Sequence, residues 1–311
     1  MRDHGGGIDA ASERFGGARQ DWVDLSTGIN PHPYPLPDIP LHSWTALPDH
    51  AAQARLVSAA RRFWSVPEGA AIIATPGASA PIALLPRLAP AGRVHIAAPT
   101  YNEHAAAFAA AGWTACADPG TADAQVVVHP NNPDGRCFDA GDLTAPLRVI
   151  DESFCDVMPD ASQMPDAVRP GTVILKSFGK FWGLAGLRLG FAIGDPVLID
   201  GLRDLLGPWP VAGPALDIGA AALDDPDWAA QTRDRLAREA RRLDTLFTAA
   251  GATCIGGTTL FRLFEVDDAQ AWQDRLARYH IWTRVFPYNT RWLRVGLPPQ
   301  SHWARLEDAL A

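Results

Sequence analysis

Up to residue 206 the chain alternates short apolar runs with longer stretches of helical character. Runs at 71–74, 93–97, 125–129, 147–150, 172–175 and 190–193 read as strands, being short, apolar and rich in Val and Ile. Helices are expected over 50–64, 78–88, 103–111 and 196–206. Parallel strands need long crossovers, and helices supply them. The alternation therefore predicts an α/β fold with a mostly parallel central sheet covered by helices.

The flanks read differently. The first forty or so residues are rich in Gly and Pro, with Pro31, Pro33, Pro35, Pro37 and Pro40 close together. That composition predicts an irregular arm crossing the surface. Residues 207–214 form a Gly/Pro breaker cluster, read as a domain hinge. A charged amphipathic helix follows over about 227–250. Strands at 258–264, 281–286 and 292–296 then alternate with helices at 268–279 and 301–310. The expected organisation is an arm with part of a small domain over 1–44, a large domain over 45–207, and a smaller α+β domain over 208–311.

A chain of 311 residues buries roughly 75% of its extended surface, so it folds without a disulfide or metal. Lys+Arg is 27 and Asp+Glu is 35, a formal net charge of -8, which gives no global basic footprint for nucleic acid. Cys116, Cys137, Cys155 and Cys254 are scattered, with no Cys-x-x-Cys pair. No metal site or disulfide framework is expected, and a reducing cytoplasm is. The amino-terminal residues lack the apolar core of a secretory signal. The longest uncharged stretch, 69–86, is interrupted by Pro76, Gly77 and Pro81, which suits a buried strand and turn better than a membrane span. The only lysines are Lys176 and Lys180, so lysine chemistry has two candidates.

The segment 177–190 is the most informative. Lys180 follows a predicted strand amid small and apolar residues, where desolvation lowers a lysine pKa and makes the amine a usable nucleophile. Ser177 and Arg188 bracket it, and a hydroxyl with a guanidinium suits a phosphorylated ligand. Read without its neighbours, the segment is equally a glycine-rich loop with a solvated lysine. Ser-x-x-Lys with Arg eight residues on resembles the cofactor-lysine signature of fold-type I pyridoxal 5'-phosphate enzymes, the aminotransferase class I/II family. The resemblance implies the fold of that family and a homodimer with sites at its interface. It also implies that Lys180 carries the cofactor and that Ser177 and Arg188 hold its phosphate.

Further segments match in family order from about Thr75 to Arg294. Asp151 ends an apolar run, where the family has the carboxylate that keeps the pyridine nitrogen protonated; alone it would read as a helix cap. Asn132 matches the Asn of the family's Asn-Pro-x-Gly turn, and alone marks a plain turn. Gly77, Ala78 and Ser79 match the turn that cups the phosphate, and alone mark an ordinary helix start. Tyr101 matches the aromatic that stacks on the ring, though a lone Tyr is more often packing. Arg294 matches the residue that grips the substrate carboxylate, with Arg291 expected in solvent. Lys180 and Asp151 are thus the expected catalytic pair. Two positions depart from the pattern. Phe154 stands where the family often has Tyr, and Leu47 where relatives have a Tyr that reaches the partner subunit's phosphate.

The ends narrow the substrate. His4 to Ile8, Asp24 to Pro31 and Gly207 to Pro214 resemble the threonine-phosphate decarboxylases of cobalamin biosynthesis, with histidinol-phosphate aminotransferases as close relatives. The resemblance implies a small phosphorylated amino acid as substrate. Either reaction begins at Lys180. Whether carbon dioxide or a proton leaves depends on which Cα bond stands perpendicular to the ring, and the angle of Arg294 decides that. His4, Gly5 and Gly6, with Asn30 and Arg284, are the candidate set for the substrate phosphate, and Arg262 is a further cation. The alternatives are a disordered terminus and surface ion pairs.

Overall fold

The computed structural model describes residues 4–311. In chain order the elements are α1 (Ile8–Phe15), β1 (Val23–Asp24), α2 (Leu41–Thr45), α3 (His50–Phe63), β2 (Ala71–Thr75), α4 (Ser79–Leu84), β3 (Arg93–Ile96), α5 (Asn102–Ala110), β4 (Thr114–Ala115), β5 (Ala124–Val128), β6 (Leu147–Asp151), β7 (Thr172–Ser177), β8 (Gly190–Gly194), α6 (Pro196–Leu206), α7 (Gly213–Leu223), α8 (Pro226–Ala249), β9 (Thr253–Thr258), β10 (Phe261–Glu265), α9 (Ala269–Ala277), β11 (Ile281–Trp282), β12 (Arg284–Phe286), β13 (Asn289–Gly296) and α10 (Trp303–Leu310). The chain forms two compact units. One holds 33–132 and 137–230; the other holds residues up to 32, 133–136 and 231–311.

The first unit is built on a seven-stranded sheet in the order β2-β8-β7-β6-β5-β3-β4. Every neighbouring pair from β7 through β4 is parallel, while β8 runs antiparallel to both β7 and β2. Strands β5, β6 and β8 are buried at every position, which is why they are mostly apolar without a polar face, the exceptions being the buried Gln125, Arg148 and Asp151. One core cluster draws Val126, Val149 and Val173 of the sheet together with Ile82, Phe108, Ile199 and Leu202. Caps set the helix starts. The Asp49 carboxylate accepts from the Ala52 N–H at α3, and Asp195 accepts from Val197 at α6, with Pro196 in the first turn.

Helix α7 is an addition to the sequence reading. Breakers at 207–214 concealed it, yet Pro214 suits its first turn and its Ala/Gly face buries against α3. A side chain at Gly219 would run into Leu189 and Leu56, so the small residue is needed for that packing.

The second unit carries an antiparallel sheet in the order β12-β13-β10-β9. Phe247 of α8 stacks on Phe264 of β10 with ring centroids 4.6 Å apart. Three expectations change here. The strand read at 258–264 is the turn and return of a β9–β10 hairpin. The run at 281–286 divides at Thr283, with β11 pairing β1 and β12 pairing β13. The arm read as irregular holds α1 and β1. Val23 pairs with Ile281, and Ile8 and Ala11 pack with Trp22 and Ala277. Its ladder partner lies some 260 residues downstream in the chain, so local composition carries no sign of the pairing. Among the described residues, no helix is long and apolar enough to cross a membrane.

Candidate active site

Strands β2, β6 and β7 end at Thr75, Asp151 and Ser177 along one edge of the seven-stranded sheet, and the antiparallel β8 begins there at Gly190. Open α/β sheets take ligands outside the carboxyl ends of their strands. A cavity of 130 Å³ at this edge is lined by Ala78, Ser79, Tyr101, Asn132, Asp151, Ser153, Phe154, Ser177 and Lys180, along with Ile82 and Val128.

Asp151 is buried. His104 Nε2 lies 2.9 Å from its Oδ2, and Ser153 donates to Oδ1 from its N–H at 3.0 Å and its hydroxyl at 2.5 Å. Burial pushes the carboxyl pKa up, but the His104 and Ser153 hydrogen bonds outweigh it and hold the group below its ordinary value. Asp151 is therefore an anion at neutral pH. An ionised carboxylate can only accept, so His104 carries its proton on Nε2. The His104 ring meets Tyr101 edge-on, centroids 6.2 Å apart, and Tyr101 precedes α5 at the cavity wall. Sequence reasoning missed His104. The available signal was Tyr-x-x-His, which places Tyr101 at the cap of α5 and His104 in its first turn.

The adjacent asparagines divide their work. Asn131 is fully buried, donates from Nδ2 to the Pro99 carbonyl at 2.9 Å and accepts from Thr100 Oγ1 at 2.6 Å. It ties the loop before Tyr101 to the end of β5. Asn132 lines the cavity.

Lys180 sits on a turn closed by the Gly183 N–H to the Lys180 carbonyl and the Leu184 N–H to the Phe178 carbonyl, both 3.1 Å. Its Nζ lies 5.3 Å from the centre of the Phe154 ring. Aromatics hold the turn from beneath: Phe178 stacks on Trp182, and Trp182 stacks on Trp228. Lys176 has a different setting. It is buried, 2.6 Å from Glu152 Oε2 and 3.5 Å from Asp156 Oδ1. Burial works to lower its pKa, but the two carboxylates prevail and raise it. Trp64 and Trp182 donate their indole N–H groups to Asp156 at 2.9 and 3.0 Å. Glu152 also accepts from Ser162 Oγ and the Gln163 N–H.

Gly77 and Arg188 form a second feature. Gly77 has φ +73°, and a Cβ there would lie 2.5 Å from Arg188 Nη2. Arg188 itself adopts φ 53°, with its Nη1 donating to the Ala185 carbonyl at 2.9 Å. A Cβ at Gly190 would lie 2.6 Å from the Ala78 nitrogen. Bare backbone at Gly77 thus meets a guanidinium, an arrangement that attracts an anion.

In the second unit Arg294 of β13 is buried and lies opposite Arg284 of β12 in the ladder. Burial, with repulsion from Arg284, lowers the Arg294 pKa to about 10, so it remains a cation at neutral pH. Like charges across a strand pair are destabilising without an anion nearby. Arg284 donates to the His4 carbonyl at 2.7 Å, and the His4 side chain is exposed. Asn30 is buried, and its Oδ1 accepts from Arg235 at 3.1 Å and the His32 N–H at 3.0 Å. Arg262 is committed to Asp244 at 2.8 Å, the ion pair foreseen as its alternative. Arg291 is exposed.

His129, Glu152 and Cys155 bring metal-type donor atoms within 4.8 Å of one another. His129 Nδ1 accepts from the Phe138 N–H at 2.9 Å, so Nε2 carries the proton it gives to the Ala161 carbonyl. Neither ring nitrogen has a lone pair to offer, and Glu152 is bound to Lys176.

A family model described as aminotransferase class I and II matches residues 114–310. A threonine-phosphate decarboxylase from Sinorhizobium sp is 44% identical, covering 99% of this chain and 97% of that protein. One from Pseudomonas aeruginosa is 39% identical, covering 100% and 97%. The crystal structure of histidinol-phosphate aminotransferase from Sinorhizobium meliloti with pyridoxal-5'-phosphate has the same fold. Its TM-score is 0.83 at 19% identity, covering 98% of this chain and 93% of that one.

Proposed function

The chain belongs to the aminotransferase class I and II family, and from that premise we propose that it decarboxylates L-threonine O-3-phosphate to (R)-1-aminopropan-2-yl phosphate and carbon dioxide, a step of cobalamin biosynthesis. The observation that carries this reading is end-to-end identity of 44% and 39% with two threonine-phosphate decarboxylases. The family's cofactor is pyridoxal phosphate, and the residues present fit it. Asp151 is a buried carboxylate held ionised, Lys180 and Tyr101 line the same cavity, and Arg188 meets bare backbone at Gly77.

In this reading Lys180 holds the cofactor covalently and afterwards moves the proton that replaces the lost carboxylate at Cα. Asp151 holds a proton on the ring nitrogen, and His104 holds Asp151. Ser177, Arg188 and the N–H groups of 77–79 bind the phosphate, Asn132 the phenolic oxygen, and Tyr101 the ring face. When bound, pyridoxal phosphate supplies the electron sink for the pair left at Cα as carbon dioxide departs. Arg294 binds the substrate carboxylate, and His4, Gly5, Asn30 and Arg284 serve the substrate phosphate. Phe154 offers no hydroxyl to the cofactor, which leaves that hydrogen bond to Asn132.

The reading includes a cytoplasmic homodimer. Leu41, Trp44 and Leu47 are exposed on the α2–α3 stretch, and Leu47 and Trp209 both line a 620 Å³ cavity. Exposed apolar surface of this kind suits a second copy. Light scattering should report a dimer mass, reduced to monomer by Trp44→Glu; a monomeric wild type would remove this element.

The deciding experiment is carbon dioxide release from L-threonine O-3-phosphate by cofactor-loaded protein with no 2-oxo acid present. Catalytic release is expected. No release with the cofactor bound would overturn the reading in favour of an aminotransferase, tested next with histidinol phosphate and 2-oxoglutarate.

A further inference from the structure

Ser26 lies in the Asp24–Asn30 motif and is 1% exposed. Its N–H and hydroxyl both donate to Asp24 Oδ1, at 2.8 and 2.6 Å. Its Oγ accepts from the Gly6 N–H at 2.7 Å. Its carbonyl oxygen accepts from Arg294 Nη2. The same carbonyl limits residue 5, because a Cβ at Gly5 would lie 2.5 Å from it. Arg294 also has its Cζ 5.2 Å from the centre of the Phe261 ring. One buried serine therefore joins the 4–6 segment, the Asp24 carboxylate and the Arg294 guanidinium.

A guanidinium is planar and rigid. One Nη bonded to the Ser26 carbonyl, with the Cζ held 5.2 Å from the Phe261 ring centre, restricts both where the group lies and how far it can turn. A carboxylate that pairs with it inherits its plane. Only the Cα bond perpendicular to the conjugated ring breaks readily, and productive geometry tolerates only about 10–20° of error. The support behind the arginine then decides the outcome as much as the arginine does.

We propose that Ser26 is a positioning residue that sets the angle of Arg294, with its hydroxyl tethering Gly6 so that the 4–6 segment and the carboxylate grip are held as one piece. This rests on the reading of Arg294 as the carboxylate anchor. It gives the motif a task in reaction specificity, namely favouring loss of carbon dioxide over loss of the Cα proton.

The test compares Ser26→Ala, which removes the tether, with Gly5→Ala, which pushes on the same carbonyl from the other side, and with Asp24→Asn, which keeps an acceptor oxygen. In cofactor-loaded protein given L-threonine O-3-phosphate, the first two should lower kcat/KM for carbon dioxide release about tenfold. They should also raise the share of turnovers yielding a 2-oxo acid, its amino group left with the protein. Asp24→Asn should keep the wild-type ratio. Without substrate, amide exchange over 4–8 should speed up in Ser26→Ala. Equal loss of both products, with the ratio unchanged in Ser26→Ala and Gly5→Ala, would overturn the proposal and leave Ser26 a scaffold residue. If wild type releases no carbon dioxide, the decarboxylase reading fails, and calorimetry tests Ser26 separately. Ser26→Ala should weaken L-threonine O-3-phosphate several-fold more than 1-aminopropan-2-yl phosphate, which shares the phosphate but lacks the carboxylate. Equal weakening of both ligands would overturn the proposal.

Discussion

Lys176 and Lys180 stand four residues apart around the end of β7 and share the same small and apolar neighbours in sequence. Lys176 points into the unit, where Glu152 and Asp156 compensate its charge and two indoles complete the shell of Asp156. Lys180 lies past the strand on a turn, beside the Phe154 ring, in a cavity it shares with Asp151. Burial by itself does not make a lysine nucleophilic. Carboxylates at ion-pair distance reverse the effect of desolvation, and buried Lys176 is kept protonated. Each lysine has an aromatic ring close by, Phe154 with its centre 5.3 Å from Lys180 Nζ and Trp64 with its centre 5.5 Å from Lys176 Nζ. A nearby ring therefore does not distinguish them, and what marks Lys176 is the Glu152 and Asp156 carboxylates that hold it.

Exchanging the two lysines' fates is the strongest way to break this comparison. Lys180→Ala should abolish the visible absorbance of lysine-bound cofactor and lower turnover by about 10⁴-fold or more. Retained turnover in that variant would move the chemistry to Lys176. Lys176→Met should act on the fold. It strands two buried carboxylates, and denaturant unfolding should show a loss of about 3–5 kcal/mol. The folded fraction should still bind cofactor through Lys180; loss of the absorbance in folded protein would sink the division of roles.

His104→Ala sharpens the same contrast at the carboxylate. The His104 bond opposes the burial that raises the Asp151 pKa, so removing it raises that pKa. A depressed folded-state carboxyl pKa contributes stability above the unfolded carboxyl range and loses it as pH falls through the folded value. The variant should therefore lose activity at higher pH than wild type on the acid side, with a drop of about ten- to a hundredfold at neutral pH. An unmoved acid limb would exclude His104 from supporting Asp151. The smallest effect belongs to Phe154→Tyr. A hydroxyl on the ring beside Lys180 should slow cofactor loss on dialysis by about fivefold, one ordinary hydrogen bond. Faster loss would mean that the apolar ring is itself required.

Much of the large unit was legible because its signals are local. Asp49 and Asp195 cap helices whose starts can be read directly, and the buried strands are short runs rich in Val and Ile. The order of Gly77, Tyr101, Asn132, Asp151, Lys180 and Arg188 along the chain was enough to suggest the cofactor. His104 escaped notice because a histidine on an Ala-rich helix has no local mark of its partner, which comes from the end of β6, 47 residues away. Asn131 escaped because its neighbour matches a known turn, and only packing shows that it holds the Pro99 loop. The amino-terminal arm looked irregular because its strand has its partner at Ile281.

The sequence by itself determined the fold class and the short set of residues able to do lysine chemistry, which follow from periodicity and residue type, and the resemblance of its motifs pointed to the family. Only the tertiary structure decided which lysine is caged, which carboxylate is held ionised, and which backbone oxygen supports Arg294. Those properties depend on charges and hydrogen bonds between residues far apart in the chain, and such interactions take their strength from distance and burial rather than from order in the sequence.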